Sequence, residues 1–124
     1  MTLKKIIREF YKSDALINGD IMASYLHKEV TLNWSSSQGI FEMDHDRILE
    51  FTYGIGKSYV RSKAIITHIL QDGNFVSVRY NYYAKTIENP REEMHLADVF
   101  VIWEIKDEKL YRGYQMSQVP LINI

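Results

Sequence analysis

The chain has 124 residues, 46% of them apolar and 25% charged, enough for one domain that buries roughly two-thirds of its unfolded surface, and a composition that excludes disorder. Lys and Arg total 15 against 16 Asp and Glu, and this near balance argues against nucleic acid or an anionic membrane as a partner. Cysteine is absent, which excludes a disulfide framework, a thiol nucleophile and a thiolate metal site.

Leu3, Ile6, Ile7, Phe10 and Tyr11 recur at helical spacing among Lys4, Lys5, Arg8, Glu9 and Lys12, which predicts a first amphipathic helix ending near Asn18-Gly19. The same stretch lacks the apolar run of a signal peptide or membrane span, so a cytoplasmic protein is expected. Asp20 is placed to cap a short second helix carrying Ile21, Met22, Tyr25 and Leu26. Glu29 to Trp34 alternates, with Val30, Leu32 and Trp34 on one face, and Ser35-Ser36-Ser37-Gln38-Gly39 ends this first strand as a turn. Asp44 or a neighbour then opens a third helix that turns Ile48, Phe51 and Ile55 inward, with Gly54 and Gly56 near its end. From about Tyr59 the chain reads as four long β segments: Val60 to Leu70, Asn74 to Ile87, Met94 to Lys106 and Lys109 to Gln118. Short connections at Asp72-Gly73, Asn89-Pro90-Arg91 and Asp107-Glu108 suit hairpins, and strands of this length curve. The expected architecture is one α+β domain over residues 1–124, its N-terminal helices packed on a strongly curved antiparallel sheet with a pocket between the layers.

This order of elements resembles the nuclear-transport-factor-2-like superfamily, which includes SnoaL-like polyketide cyclases and ketosteroid isomerase. The local sequence fits too: Asn18-Gly19-Asp20 before the second helix, Tyr25-Leu26-His27-Lys28-Glu29-Val30-Thr31-Leu32-Asn33-Trp34 into the first strand, and Asp107-Glu108-Lys109-Leu110 as the last hairpin. The resemblance spans nearly the whole chain. It implies a cone whose concave sheet face lines a pocket while the convex face often pairs two subunits. On that pattern Val76, Val78, Tyr80, Tyr82 and Ala84 face the pocket from one strand, Asp98, Phe100 and Ile102 from the next, and Tyr111, Gly113 and Gln115 from the last. Val99, Val101 and Trp103 then lie on the convex face, where an apolar surface has to be covered, and a homodimer through them is expected.

The resemblance makes Asp98 the candidate catalytic residue, because the same neighbourhood in ketosteroid isomerase holds a protonated acid that donates to the substrate oxyanion. A carboxyl among Phe100 and Ile102 would be desolvated and its pKa raised; the alternative is an Asp paired with a Tyr, Arg or His in a structural network. The rest of that apparatus is replaced. The general-base position falls on Asn33 by ungapped alignment or on Trp34 by parity, the first-helix tyrosine falls on Lys12 beside Tyr11, and Gln115 stands where many SnoaL-like proteins carry an acid.

The expected pocket therefore gathers Tyr11, Asn33, Trp34, Tyr80, Tyr82, Phe100, Tyr111 and Gln115 around Asp98, and suits a small apolar or amphipathic molecule. Binding of such a ligand, with or without a weak lyase or isomerase activity, is one expectation; a non-catalytic homodimeric scaffold is the other. No cofactor and no metal are expected. His27, His45, His68 and His95 show no paired ligand spacing, and Asp44-His45-Asp46 is explained by helix capping. Gly54-Ile55-Gly56-Lys57-Ser58 lacks the full spacing of a phosphate loop.

Overall fold

Thr2 opens the first helix by accepting the backbone N–H of Lys5 on its hydroxyl at 3.2 Å. In the computed structural model, which describes residues 2–120, α1 runs Leu3–Lys12 and buries Ile6, Ile7, Phe10 and Tyr11. It stops earlier than its apolar spacing implies. The Ser13 hydroxyl donates to the Phe10 carbonyl at 2.6 Å and accepts from the Ala15 N–H at 3.2 Å, local bonds that compete with another helical turn. The cap of α2 (Gly19–Tyr25) is Asn18 rather than Asp20, its side-chain oxygen accepting from the N–H groups of Asp20 and Ile21. Asp44 caps α3 (His45–Gly56) as expected, accepting from Arg47 at 2.9 Å.

Six strands follow from the remaining sequence: β1 (Leu26–Ser36), β2 (Gly39–Asp44), β3 (Tyr59–Asp72), β4 (Phe75–Thr86), β5 (Met94–Lys106) and β6 (Lys109–Gln118). They form one sheet in the order β2-β1-β6-β5-β4-β3. The sheet is mixed rather than wholly antiparallel, because β1 pairs with β6 in parallel while every other neighbouring pair is antiparallel. The short β2 was not anticipated. Only Met43 in it is buried, so it lacks the alternation that marks a strand.

The register sets the two faces. Across the concave face Val76, Trp103, Gly113 and Leu32 form one row, Val78, Val101, Gln115 and Trp34 the next, and Tyr80, Val99 and Ser117 a third, with Tyr82 beside Ala97 beyond it. Gly113 is required in the first row, since a Cβ there would lie 2.5 Å from the Trp103 ring and 2.8 Å from Leu32. The β5–β6 turn at Asp107-Glu108 has both residues at positive φ, the two-residue form that matches strand twist. Just beyond it Ile105 pairs with Leu110 but Glu104 with Arg112, leaving Tyr111 as an extra bulged residue.

This register reverses the expected parity of β5. Val99, Val101 and Trp103 are buried on the concave face, and the convex face carries Asp98, Phe100 and Ile102. The homodimer expectation was therefore attached to the wrong side chains. Helices α1 to α3 cover the concave face, and the core joins Ile7, Phe10, Met22 and Ile48 to Val30, Val76, Val101 and Leu110.

Candidate functional site

Between the helices and the concave face lies a cavity of about 140 Å³. Phe10 and Tyr11 of α1, Leu16 and Met22 around the start of α2, and Ile48, Phe51, Thr52 and Ile55 of α3 wall it on one side. Leu32, Trp34, Tyr80, Tyr82, Ala97, Val99, Trp103, Gln115 and Ser117 wall it on the other. The helical wall is tied together at one seam, where the Tyr53 hydroxyl donates to Asp20 and the Tyr53 ring lies over Gly19.

Three tyrosines, Tyr11, Tyr80 and Tyr82, bring phenol groups to the cavity wall. Tyr11 is 3% exposed and accepts the Trp103 indole N–H at 2.9 Å, with its ring centroid 4.6 Å from that of Tyr80. Burial pushes the Tyr11 phenol well above its usual pKa, against the lowering effect of hydrogen bonds from Trp103 and Tyr80. Burial pushes Tyr80 up in the same way, with the neighbouring phenols of Tyr11 and Tyr82 adding to it. Tyr82 is also raised by burial, offset in part by a bond to Ser62. All three phenols are thus neutral donors at physiological pH.

The remaining polar groups come from the sheet and from α3. Trp34 donates its indole N–H to Ser117 at 2.8 Å, and Gln115 lies one row away on the same face. Thr52 spends its hydroxyl on the Ile48 carbonyl at 2.8 Å. None of the described residues lining the cavity carries a carboxylate, an imidazole, an ammonium or a guanidinium. The walls thus combine apolar surface with neutral hydrogen-bonding groups.

Of the residues expected in the pocket, the structure brings together Tyr11, Trp34, Tyr80, Tyr82 and Gln115. It does not bring in Asp98, Asn33, Phe100 or Tyr111. Asp98 sits on the convex face, 38% exposed, and pairs with Nε2 of His95 at 2.7 Å, which is the network alternative rather than the catalytic one. His95 in turn stacks on Tyr83 at 4.8 Å. Asn33 and Phe100 border a shallow convex groove, so parity, not ungapped alignment, locates the cavity residue on β1 as Trp34. Tyr111 lies outside the cavity, its ring faced by Arg112, Lys106 and His27. Ser117, Ala97, Met22 and Met43 line the cavity without having been anticipated. Ser117 was legible, being the next residue on the face of Gly113 and Gln115.

The helix-covered curved sheet with an internal cavity is that of an α+β cone. No family model matches the chain and no curated protein matches it in sequence. Several solved structures share its shape. AusH from Aspergillus nidulans superposes with a TM-score of 0.79 at 12% identity, over 98% of this chain and 86% of that one. A protein from Shewanella denitrificans described as a SnoaL-like polyketide cyclase gives 0.71 at 10% identity, over 93% and 89%. A protein with a ketosteroid-isomerase-like fold from Catenulispora acidiphila, in complex with trimethylamine, gives 0.70 at 12% identity, over 92% and 85%. The likeness is one of fold: the chain has the α+β cone seen in proteins described as NTF2-like, SnoaL-like and ketosteroid-isomerase-like. No helix among the described residues is long and apolar enough to cross a membrane.

Proposed function

We propose that this protein binds a small, neutral, largely apolar molecule inside the cone and holds it without acid–base chemistry. The observation that carries this reading is the lining: aromatic and aliphatic walls, neutral phenols, one amide and two hydroxyls, with no ionised group. The size class follows from the volume, since an apolar cavity of about 150 Å³ accepts a benzene ring. The trimethylamine held by the Catenulispora protein is of comparable bulk, but at neutral pH it is a cation. Here it would meet no carboxylate to offset its desolvation, so a neutral molecule is the better match.

Thermal unfolding with toluene tests the reading. At a hundredfold excess over Kd, binding to the folded chain alone stabilises it by about 2.7 kcal/mol. Toluene should raise the melting temperature, trimethylammonium should raise it less, and Ala97→Phe should abolish the effect by filling the cavity. An unchanged melting temperature with saturating toluene would sink the proposal.

A second reading concerns the convex face, where Phe100 is 61% exposed and Met116 67%, the two directly paired across β5 and β6. Ile102 and Tyr114 pair beside them, also exposed. We infer that this strip, rather than Val99, Val101 and Trp103, joins two copies of the chain as a homodimer, since an apolar strip of this kind is unusual on a monomer. Sedimentation should give a dimer at micromolar concentration and a monomer for Phe100→Glu. A monomeric parent protein would end this reading and leave the first intact.

A further inference from the structure

The near balance of charge over the whole chain hides a segregation. Helix α1 and strands β3 and β4 together carry eight Lys and Arg against two Asp and Glu, whereas α2, α3, β1 and β2 carry two against six. The sheet order places β3 and β4 at one edge and β1 and β2 at the other, and α1 packs against β3 and β4. One edge of the molecule is therefore cationic and the opposite edge acidic. Three local features of the cationic edge oppose stability. Lys4, Arg8 and Lys12 follow one another at four-residue spacing on the exposed side of α1, where like charges repel. Lys4 and Lys5 occupy the first turn of that helix, without an acidic residue, at the positive end of its dipole. Arg61 and Lys85 stand directly opposite each other across β3 and β4. Among the described residues, no carboxylate forms an ion pair with Lys4, Lys5, Arg8, Lys12, Arg61 or Lys85.

We propose that this cationic edge is a docking surface for an anionic lipid bilayer. Local choices that cost stability in the same direction on neighbouring elements are expected where a surface meets a partner. The cations of α1 lie on the helical side of the sheet, and Arg61, Lys63 and Lys85 border a shallow groove on the convex side, so the two sets flank the free edge of β3. An extended anionic surface meets both sets at once; a small ion does not. Along the same strand Val60 is 50% exposed and Ile65 43%, aliphatic side chains suited to the acyl boundary of a bilayer. A nucleic acid would be better served by free aromatic faces, but Tyr83 in the groove is stacked on His95 at 4.8 Å and faced by Lys63. Each Lys or Arg brought near an anionic leaflet strengthens attachment, and the acidic edge is then turned to solvent.

Co-sedimentation with vesicles tests the proposal, using phosphatidylcholine alone and phosphatidylcholine mixed with phosphatidylserine in equal parts. The protein should partition onto the mixed vesicles at low ionic strength, ignore the neutral ones, and be released by molar salt, where the screening length falls to about 3 Å. Arg8→Gln and Arg61→Gln, both at exposed positions, should each lower the partition coefficient about fivefold, the effect of one basic residue at the surface. Neither should lower the melting temperature, since each relieves a like-charge contact. Lys28→Gln makes the same change of net charge on the acidic edge and should leave the coefficient within about twofold of the parent value. Failure of the parent protein to partition onto the mixed vesicles at low salt overturns the inference, as does an equal loss in Lys28→Gln and in the two edge variants. Binding to polyuridylate with the vesicles ignored assigns the surface to nucleic acid and overturns the lipid inference.

Discussion

The two faces of β5 and β6 carry similar apolar residues to opposite ends. Ala97, Val99, Val101, Trp103 and Ile105 face the helices, while Phe100 and Ile102 on the same strand face outward beside Tyr114 and Met116. On the inner face the side chains interlock closely enough that Gly113 has no room for a methyl group; on the outer face Arg79 lies over the Phe100 ring at 5.5 Å with solvent around it. Hydrophobicity alone therefore does not tell inside from outside on a strand apolar on both sides. Register does, and register is decided across hairpins.

The largest expected effect that tests this contrast is on Trp103. Trp103→Ala should cost about 3–5 kcal/mol in urea unfolding, the range for a buried large aromatic, whereas Phe100→Ser should change the stability of a single subunit by less than about 0.5 kcal/mol. Equal costs would mean the faces have been exchanged. Gly113→Ala should cost about 1–3 kcal/mol by overpacking against the Trp103 ring, and a neutral outcome would show that the inner face is looser than described.

Tyr11→Phe sharpens the comparison through pH. At neutral pH it should cost about 1–3 kcal/mol by leaving the Trp103 N–H without its acceptor. The unfolded chain releases a tyrosine proton near the ordinary value of 10.0, whereas the folded protein retains that of Tyr11 because its pKa is raised. The associated stability is fully present below about pH 10 and is lost as the pH climbs toward the folded value, by about 1.4 kcal/mol per pH unit. Tyr11→Phe should flatten the alkaline decline by that slope, and an unaltered slope would mean the phenol is not buried.

The smallest effect is expected for Asp98→Asn. The half-exposed pair with His95 is worth about 0–1 kcal/mol, and the toluene response should survive its loss. A ligand response that vanished with Asp98 would restore the acid to the cavity and overturn the assigned faces.

Much of this arrangement was legible in the chain. The alternation Val76, Val78, Tyr80, Tyr82 located one wall, and Val30, Leu32, Trp34 located another. The parity of β5 was legible too and was missed: one face is unbroken from Ala97 to Ile105, while the other includes Asp98 and Glu104. Likeness to an isomerase acid outweighed that signal. By contrast, β2 could not have been read, because its pairing is backbone to backbone while Ile40, Phe41 and Glu42 remain outside the core. The closing of the cavity by Leu16 and Met22 depends on helix placement, which spacing does not encode.

The bulge at Tyr111 has a consequence for how such a protein can change over generations. With regular alternation from Leu110 onward, the full β6 sequence would turn Tyr114 and Met116 into the cavity and send Gln115 and Ser117 outside; the looped-out residue restores the phase. Losing Tyr111 altogether would restore the same phase by a different route. A lineage could therefore gain or discard that residue, altering the local bend of β6, while every β6 side chain that lines the cavity keeps its post.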